Sequence, residues 1–200
     1  MRDFSASEWD AIASINGLGT FDAIWELDIG WFEEPNQRRG GWSGVSRCDV
    51  LLPDGSHAGI FIKRQQNHTT RSCAHPFRGV PTFRREFRNL KRLKSMGTPV
   101  LEVLYFAEKI EDADRRAILI SRELAGYVSF DACMSYWQQH GWPEKQVWHD
   151  LIHRIAGLAR NTHRHRIQLN SFSPGHVFVG EVDGVPDIRL IDLEGAKRRA

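Results

Sequence analysis

Apolar and polar positions alternate with period two along much of the first half of the chain, interrupted by one helical stretch. Beyond Ala125 the spacing lengthens to that of helices. "TFDAIWELDIG" (Thr20–Gly30) is β-compatible, and "VSRCDVLL" (Val45–Leu52) alternates as a half-buried strand does. Asp54-Gly55 in "PDGSHAG" is a hairpin dipeptide leading into the strand "IFIKRQ", Ile60–Gln65. His68–Gly79 reads as a polar loop. Phe83, Phe87, Leu90 and Leu93 then share one face of a helix, with Thr82 as its cap and Gly97 and Pro99 as its stop. "VLEVLYFAEKI" and "RRAILISREL" predict two further strands joined across "EDAD". After a break at Ala125–Gly126, Phe130–His140 predicts a helix. Pro143 opens another, with Val147, Trp148, Leu151, Ile152, Ile155 and Leu158 on one face. His176–Val179 and Ile188–Ile191 close the pattern as two short strands around a Gly/Asp/Pro turn. The order is β-β-β-α-β-β, a linker, α-α and a β-hairpin, with no internal repeat.

Composition places the chain among soluble globular proteins: 41% hydrophobic, 26% charged, mean hydropathy -0.43. No apolar run approaches the roughly 18 residues of a membrane helix. The start lacks a basic region followed by an apolar core, so no signal peptide is expected. Cys48, Cys73 and Cys133 lack metal-ligand spacing, which suits buried, reduced thiols in a cytoplasm. The net charge of +2 is unevenly spread. Met1–Glu34 is acidic, with Arg2 its one base. Ile62–Val100 is basic, with Glu86 its one acid. Such a basic block suits phosphate, anionic lipid or nucleic acid, and equally a solvated helix face.

Three features carry candidate chemistry. Lys63 ends an apolar strand, where a lysine points either to solvent or into a cleft. Glu86 falls on the side of Phe83, Phe87 and Leu90, near the packed helix face. A strand lysine paired with a helical glutamate is how a protein kinase fixes the lysine that holds the α- and β-phosphates. "GGWSGV" (Gly40–Val45) lies upstream of that lysine, and its glycines let backbone N–H groups approach phosphate. Asp192 in "RLIDLEG" follows the last strand, where a kinase carries its metal-binding aspartate.

Together "EPNQRRGGWSGVSRCDV", "FIKRQ", "FRREFRNLKRL", "ILISREL" and "SPGHVFV…IRLIDLEGAKRR" resemble the lipopolysaccharide kinase (Kdo/WaaP) family, in particular its InaA-type members. The resemblance runs from about Phe21 to Arg199. It implies an α+β, protein-kinase-like bilobal fold, with an antiparallel-sheet N-lobe carrying one main helix (1–124) and a short, mostly helical C-lobe (125–200). It further implies ATP-dependent transfer of phosphate to heptose or Kdo in the lipopolysaccharide core of a Gram-negative bacterium. The setting would be cytoplasmic, peripheral at the inner membrane. By position, Gly41 and Gly44 fall in the phosphate loop, Lys63 is the anchoring lysine and Glu86 its partner. Glu123 and Leu124 lie at the adenine hinge, and Asp192 is the metal-binding aspartate.

The catalytic loop departs from the family pattern. Leu169, Ser171 and His176 stand where histidine, the aspartate base and a metal-binding asparagine are expected. Imidazole is a poor ligand for Mg2+ but acceptable to Mn2+. Two readings follow: a phosphotransferase weakened by Ser171, or a nucleotide-binding pseudokinase or stress-response interaction module without transfer activity. A nucleic-acid surface is the weakest alternative, because the basic helix also has an apolar face and no nucleic-acid motif is present.

Overall fold

The strand expected from Ile60 to Gln65 runs from His57 to Gln66, near the middle of a six-stranded antiparallel sheet. The structure, a computed structural model, describes residues 4–72, 75–170 and 172–198. The chain divides into one unit of Met1–Phe87 with Glu102–Glu123, and another of Arg88–Leu101 with Leu124–Ala200.

The first part of the chain contains β1 (Phe4–Ser5), α1 (Trp9–Ile15), α2 (Phe21–Trp25), β2 (Trp31–Arg38), β3 (Gly41–Leu51), β4 (His57–Gln66), β5 (Thr69–Ser72) and β6 (His75–Pro81). Helix α3 (Thr82–Ser95) follows, then β7 (Val103–Glu111) and β8 (Asp114–Arg122). The sheet order is β1-β7-β8-β4-β3-β2, and β5 pairs with β6 as a separate hairpin.

Strand alternation sends successive β4 side chains to opposite faces. Ile60 and Ile62 join the core formed by Trp9, Ile12, Leu18, Phe21 and Ile24 of the N-terminal segment. Arg64 shares that face, donating to the carbonyls of Trp25 and Leu27 and lying over the Trp31 ring at 4.7 Å. Burial lowers the pKa of this guanidinium. Lys63 and Gln65 occupy the opposite face and meet α3.

Three local expectations change. Thr20–Gly30 is not a strand: Thr20 Oγ1 accepts from the Ala23 N–H at 3.1 Å and starts α2. Phe21 and Ile24, one turn apart, are its buried residues. The segment read as a loop from His68 to Gly79 instead forms the β5–β6 hairpin. Thr82 does not cap α3, because its hydroxyl points inward and donates to Gln65 Oε1.

The second unit holds β9 (Val128–Ser129), α4 (Phe130–His140), α5 (Lys145–Arg164) and β10 (Ile167–Gln168). Then come a short 3-10 turn (Pro174–His176), β11 (Val177–Val182), β12 (Val185–Leu190), a second 3-10 turn (Leu193–Gly195) and β13 (Lys197–Arg198). The expected hairpin is present as β11–β12, with Val177 opposite Leu190; His176 lies just outside it, in the 3-10 turn. Leu151 and Leu158 bury one face of α5, and Trp148 stacks on Phe130. No helix among the described residues is long and apolar enough to cross a membrane.

Candidate functional site

Lys63 Nζ lies 2.6 Å from Glu86 Oε1. The glutamate side chain is 2% exposed and the lysine 18%, so the pair is shielded but open on the lysine side. Burying a carboxylate is costly unless it is paired and hydrogen-bonded. One lone acid in a basic helix is therefore explained: Glu86 turns inward to a cation, while Arg88, Lys91, Arg92 and Lys94 face solvent. The Phe83 ring lies 6.0 Å from Lys63 Nζ.

Beside this pair is a polar cluster that the sequence did not reveal. Gln65, His68 and Thr82 are all buried. Gln65 Oε1 accepts from the Thr82 hydroxyl at 2.8 Å and the Phe83 N–H at 2.9 Å, and its Nε2 donates to the His68 carbonyl at 2.6 Å. Since the Thr82 proton goes to Gln65, His68 Nδ1 is the donor in its 3.1 Å contact with Thr82 Oγ1. Burial, with a smaller effect of Arg39, lowers the His68 pKa. Parity with Lys63 was the available signal: residues two apart on a strand share a face.

Gly41 and Gly44 lie within β3 rather than in a free loop. A Cβ on Gly41 would collide with the Gln66 carbonyl oxygen, and one on Gly44 would enter the Trp31 ring. Each position therefore has a packing reason to be glycine. Glu123 directly follows β8, and its N–H donates to the Gly59 carbonyl at 2.9 Å. Its carboxylate accepts from Arg47 Nε and Nη2 at 3.1 and 2.8 Å. Leu124 opens the later segment of the second unit, and its carbonyl accepts from the Tyr127 N–H.

In the second unit, Asp192 adopts the left-handed conformation (φ 51°, ψ 63°), which aspartate tolerates better than most residues. Its Oδ2 lies 3.3 Å from His176 Nε2, with the two side chains 40% and 33% exposed. His176 Nδ1 contacts Ser173 Oγ at 2.8 Å. Asn89 Nδ2 donates to the carbonyls of Leu193 and Ala196 at 2.7 and 3.0 Å, securing the turn after Asp192. Leu169, Asn170, Phe172 and Ile191 line a small pocket with Asp192. Asp131 lies beside Gly175, with its pKa lowered chiefly by a hydrogen bond from Ser129. Ser171 lies outside the described residues.

Asp192 and His176 offer one carboxylate and one imidazole. No cluster of three or more metal-ligating side chains occurs among the described residues. Two donors suit a cation that takes its remaining ligands from phosphate and water. With Nε2 on such a cation, Nδ1–H would donate to Ser173, the orienting bond that metal-bound histidines usually make.

The model of the lipopolysaccharide kinase (Kdo/WaaP) family matches residues 22–200. The chain belongs to this family. It is 30% identical over 182 residues to Protein InaA of Escherichia coli (strain K12), covering 90% of this chain and 79% of that protein. A solved structure of WaaP in complex with acyl carrier protein matches with a TM-score of 0.69 and 20% identity, over 100% of this chain and 73% of that one. That match shows the fold, and the expected kinase-like α+β architecture holds. Membership of a kinase family also carries the general use of ATP and a divalent cation. Gln65, Asn89 and Arg47 were not singled out in the sequence because amides and arginines read as surface.

Proposed function

We propose that the protein is an ATP-dependent phosphotransferase acting on a hydroxyl of an inner-core lipopolysaccharide sugar, heptose or Kdo, or of a related anionic glycolipid. The shielded Lys63–Glu86 pair carries this reading. Glu86 holds the ammonium in place, and Lys63 binds the α- and β-phosphates. Asp192 and His176 bind the cation, Mg2+ or Mn2+, which neutralises charge on the phosphates. The backbone at Glu123 and Leu124 receives adenine, and the start of β3 with Gly41 and Gly44 covers the phosphates. The basic face of α3 meets the acceptor at the cytoplasmic side of the inner membrane.

Ser171 supports a second reading, a nucleotide-binding pseudokinase. General-base catalysis contributes roughly 10²–10⁴-fold, whereas phosphoryl transfer depends mostly on positioning and electrostatics. Loss of the base therefore slows transfer without abolishing nucleotide binding.

Thermal unfolding with ATP and Mg2+ or Mn2+ tests nucleotide binding. At ATP a hundredfold above its Kd, Tm should rise by roughly 5–10 °C, and Lys63→Ala or Asp192→Ala should remove the shift. No shift with either cation would end both readings. Transfer of labelled phosphate to dephosphorylated lipopolysaccharide core then separates them: transfer supports the enzyme, and binding without transfer supports the pseudokinase.

A further inference from the structure

We propose that Gln65 is a positioning residue that sets α3 so that Glu86 meets Lys63. The role given to that pair rests on the kinase reading, but the mechanical inference rests on the geometry alone.

The first N–H groups of a helix have no partner within it and need acceptors from elsewhere. In α3 those acceptors come from β4 and the residues just after it. The Phe83 N–H donates to Gln65 Oε1, and the Thr82 N–H donates to the His68 carbonyl at 3.2 Å. The same Gln65 oxygen takes the Thr82 hydroxyl, and the Gln65 nitrogen holds the His68 carbonyl in place. One strand side chain thus supplies the cap and fixes the second acceptor.

Lys63 and Gln65 share one face of β4, about 7 Å apart along the strand. Phe83 and Glu86 lie about 4.5 Å apart along the helix axis. The strand therefore grips the helix at two separate points, one through Glu86 and one through its first turn. Arg84 of the same turn also pairs with Glu108 of β7, and Phe87 stacks on Phe106, so the helix is anchored to β7 as well. The Gln65 bonds are what tie its first turn to β4, the strand that carries Lys63.

The bland alternative is that Gln65 merely fills core volume. An apolar side chain would fill it equally, yet would take from the buried Phe83 N–H its acceptor and leave the Thr82 hydroxyl and the His68 carbonyl with one partner fewer. Unsatisfied buried groups are rare because each is destabilising.

Lysine acylation of the whole chain, read by mass spectrometry at Lys63 with Lys109 as internal reference, tests the inference. Lys109 lies on β7 and is paired with Asp22 of α2 at 2.7 Å. Gln65→Met keeps the volume and removes the hydrogen bonds. Its Lys63 acylation, relative to Lys109, should rise about fivefold, the factor that one net hydrogen bond is worth. Gln65→Glu keeps an acceptor for Thr82 and Phe83 but loses the donor to the His68 carbonyl, so it should restore the protection in part. If Gln65→Met fails to give the wild-type circular dichroism, Thr82→Val, which removes the two hydroxyl bonds but keeps the Phe83 N–H on Gln65, should show a smaller rise. An unchanged Lys63 rate in the folded variant would overturn the proposal, as would a rise that Gln65→Glu does not lessen. Failure of the wild type to bind ATP would defeat the kinase reading while leaving the acylation result to decide the role of Gln65.

Discussion

Lys63 and Glu86 were legible because charge made them conspicuous: a cation inside an apolar strand, and a lone acid in a basic helix. His68 was not, since a histidine between Asn67 and Thr69 reads as loop. Its buried ring ties the region after β4 to the start of α3 through Thr82. A consequence follows for pH. Burial and Arg39 hold the His68 pKa below its ordinary 6.5, so the unfolded chain takes up this proton before the native protein does. The histidine's contribution to stability is full above pH 6.5, is lost as pH falls through the native pKa, and changes no further below it. Urea midpoints measured from neutral pH down to about pH 5, in the range where histidine titrates, should fall more steeply for the wild type than for His68→Asn. Parallel curves would show that His68 protonates equally in both states.

At the scale of elements, long periodic segments were legible and short ones were not. Helices α3 and α5 bury enough positions to fix their period. By contrast, α2 is 5 residues long, too short for periodicity to separate helix from strand, and only the Thr20 cap decides it. The β5–β6 hairpin is polar in sequence because its backbone pairing, not an apolar face, makes it a hairpin. The N-terminal segment carries the largest surprise. The family match begins at residue 22, yet Trp9, Ile12, Ala13, Leu18 and Phe21 complete the core on the Ile60–Ile62 side of the sheet. This layer is structural, and its loss should act on stability alone. Ile12, 1% exposed, makes the cleanest test. Ile12→Ala should destabilise by about 2–5 kcal/mol in urea unfolding, while the ATP-driven rise in Tm persists. A loss under about 1 kcal/mol would mean that the segment is not part of the cooperative core.

For the whole molecule, family and fold are set by many residues at once, whereas activity turns on very few. Fold recognition therefore survives a change at one loop position that alters the reaction rate greatly. The proposed function makes the binding apparatus and the proton acceptor separable. On the proposed reading, Lys63 with Glu86 serves phosphate and Asp192 with His176 serves a cation. On the same reading Ser171 takes the position of the base, and a neutral hydroxyl is too weakly basic to accept the acceptor's proton at neutral pH. Ser171→Asp restores a carboxylate at that position without touching Lys63, Glu86 or Asp192. If the protein is a slow phosphotransferase, transfer to its acceptor should rise by about 10²–10⁴-fold in this variant. The ATP-driven rise in Tm should stay as in the wild type, because the base acts on the acceptor hydroxyl and not on the nucleotide. A variant that binds ATP normally and transfers no faster would place the block elsewhere in the loop. His176, proposed here as a cation ligand, would then be the next residue to exchange.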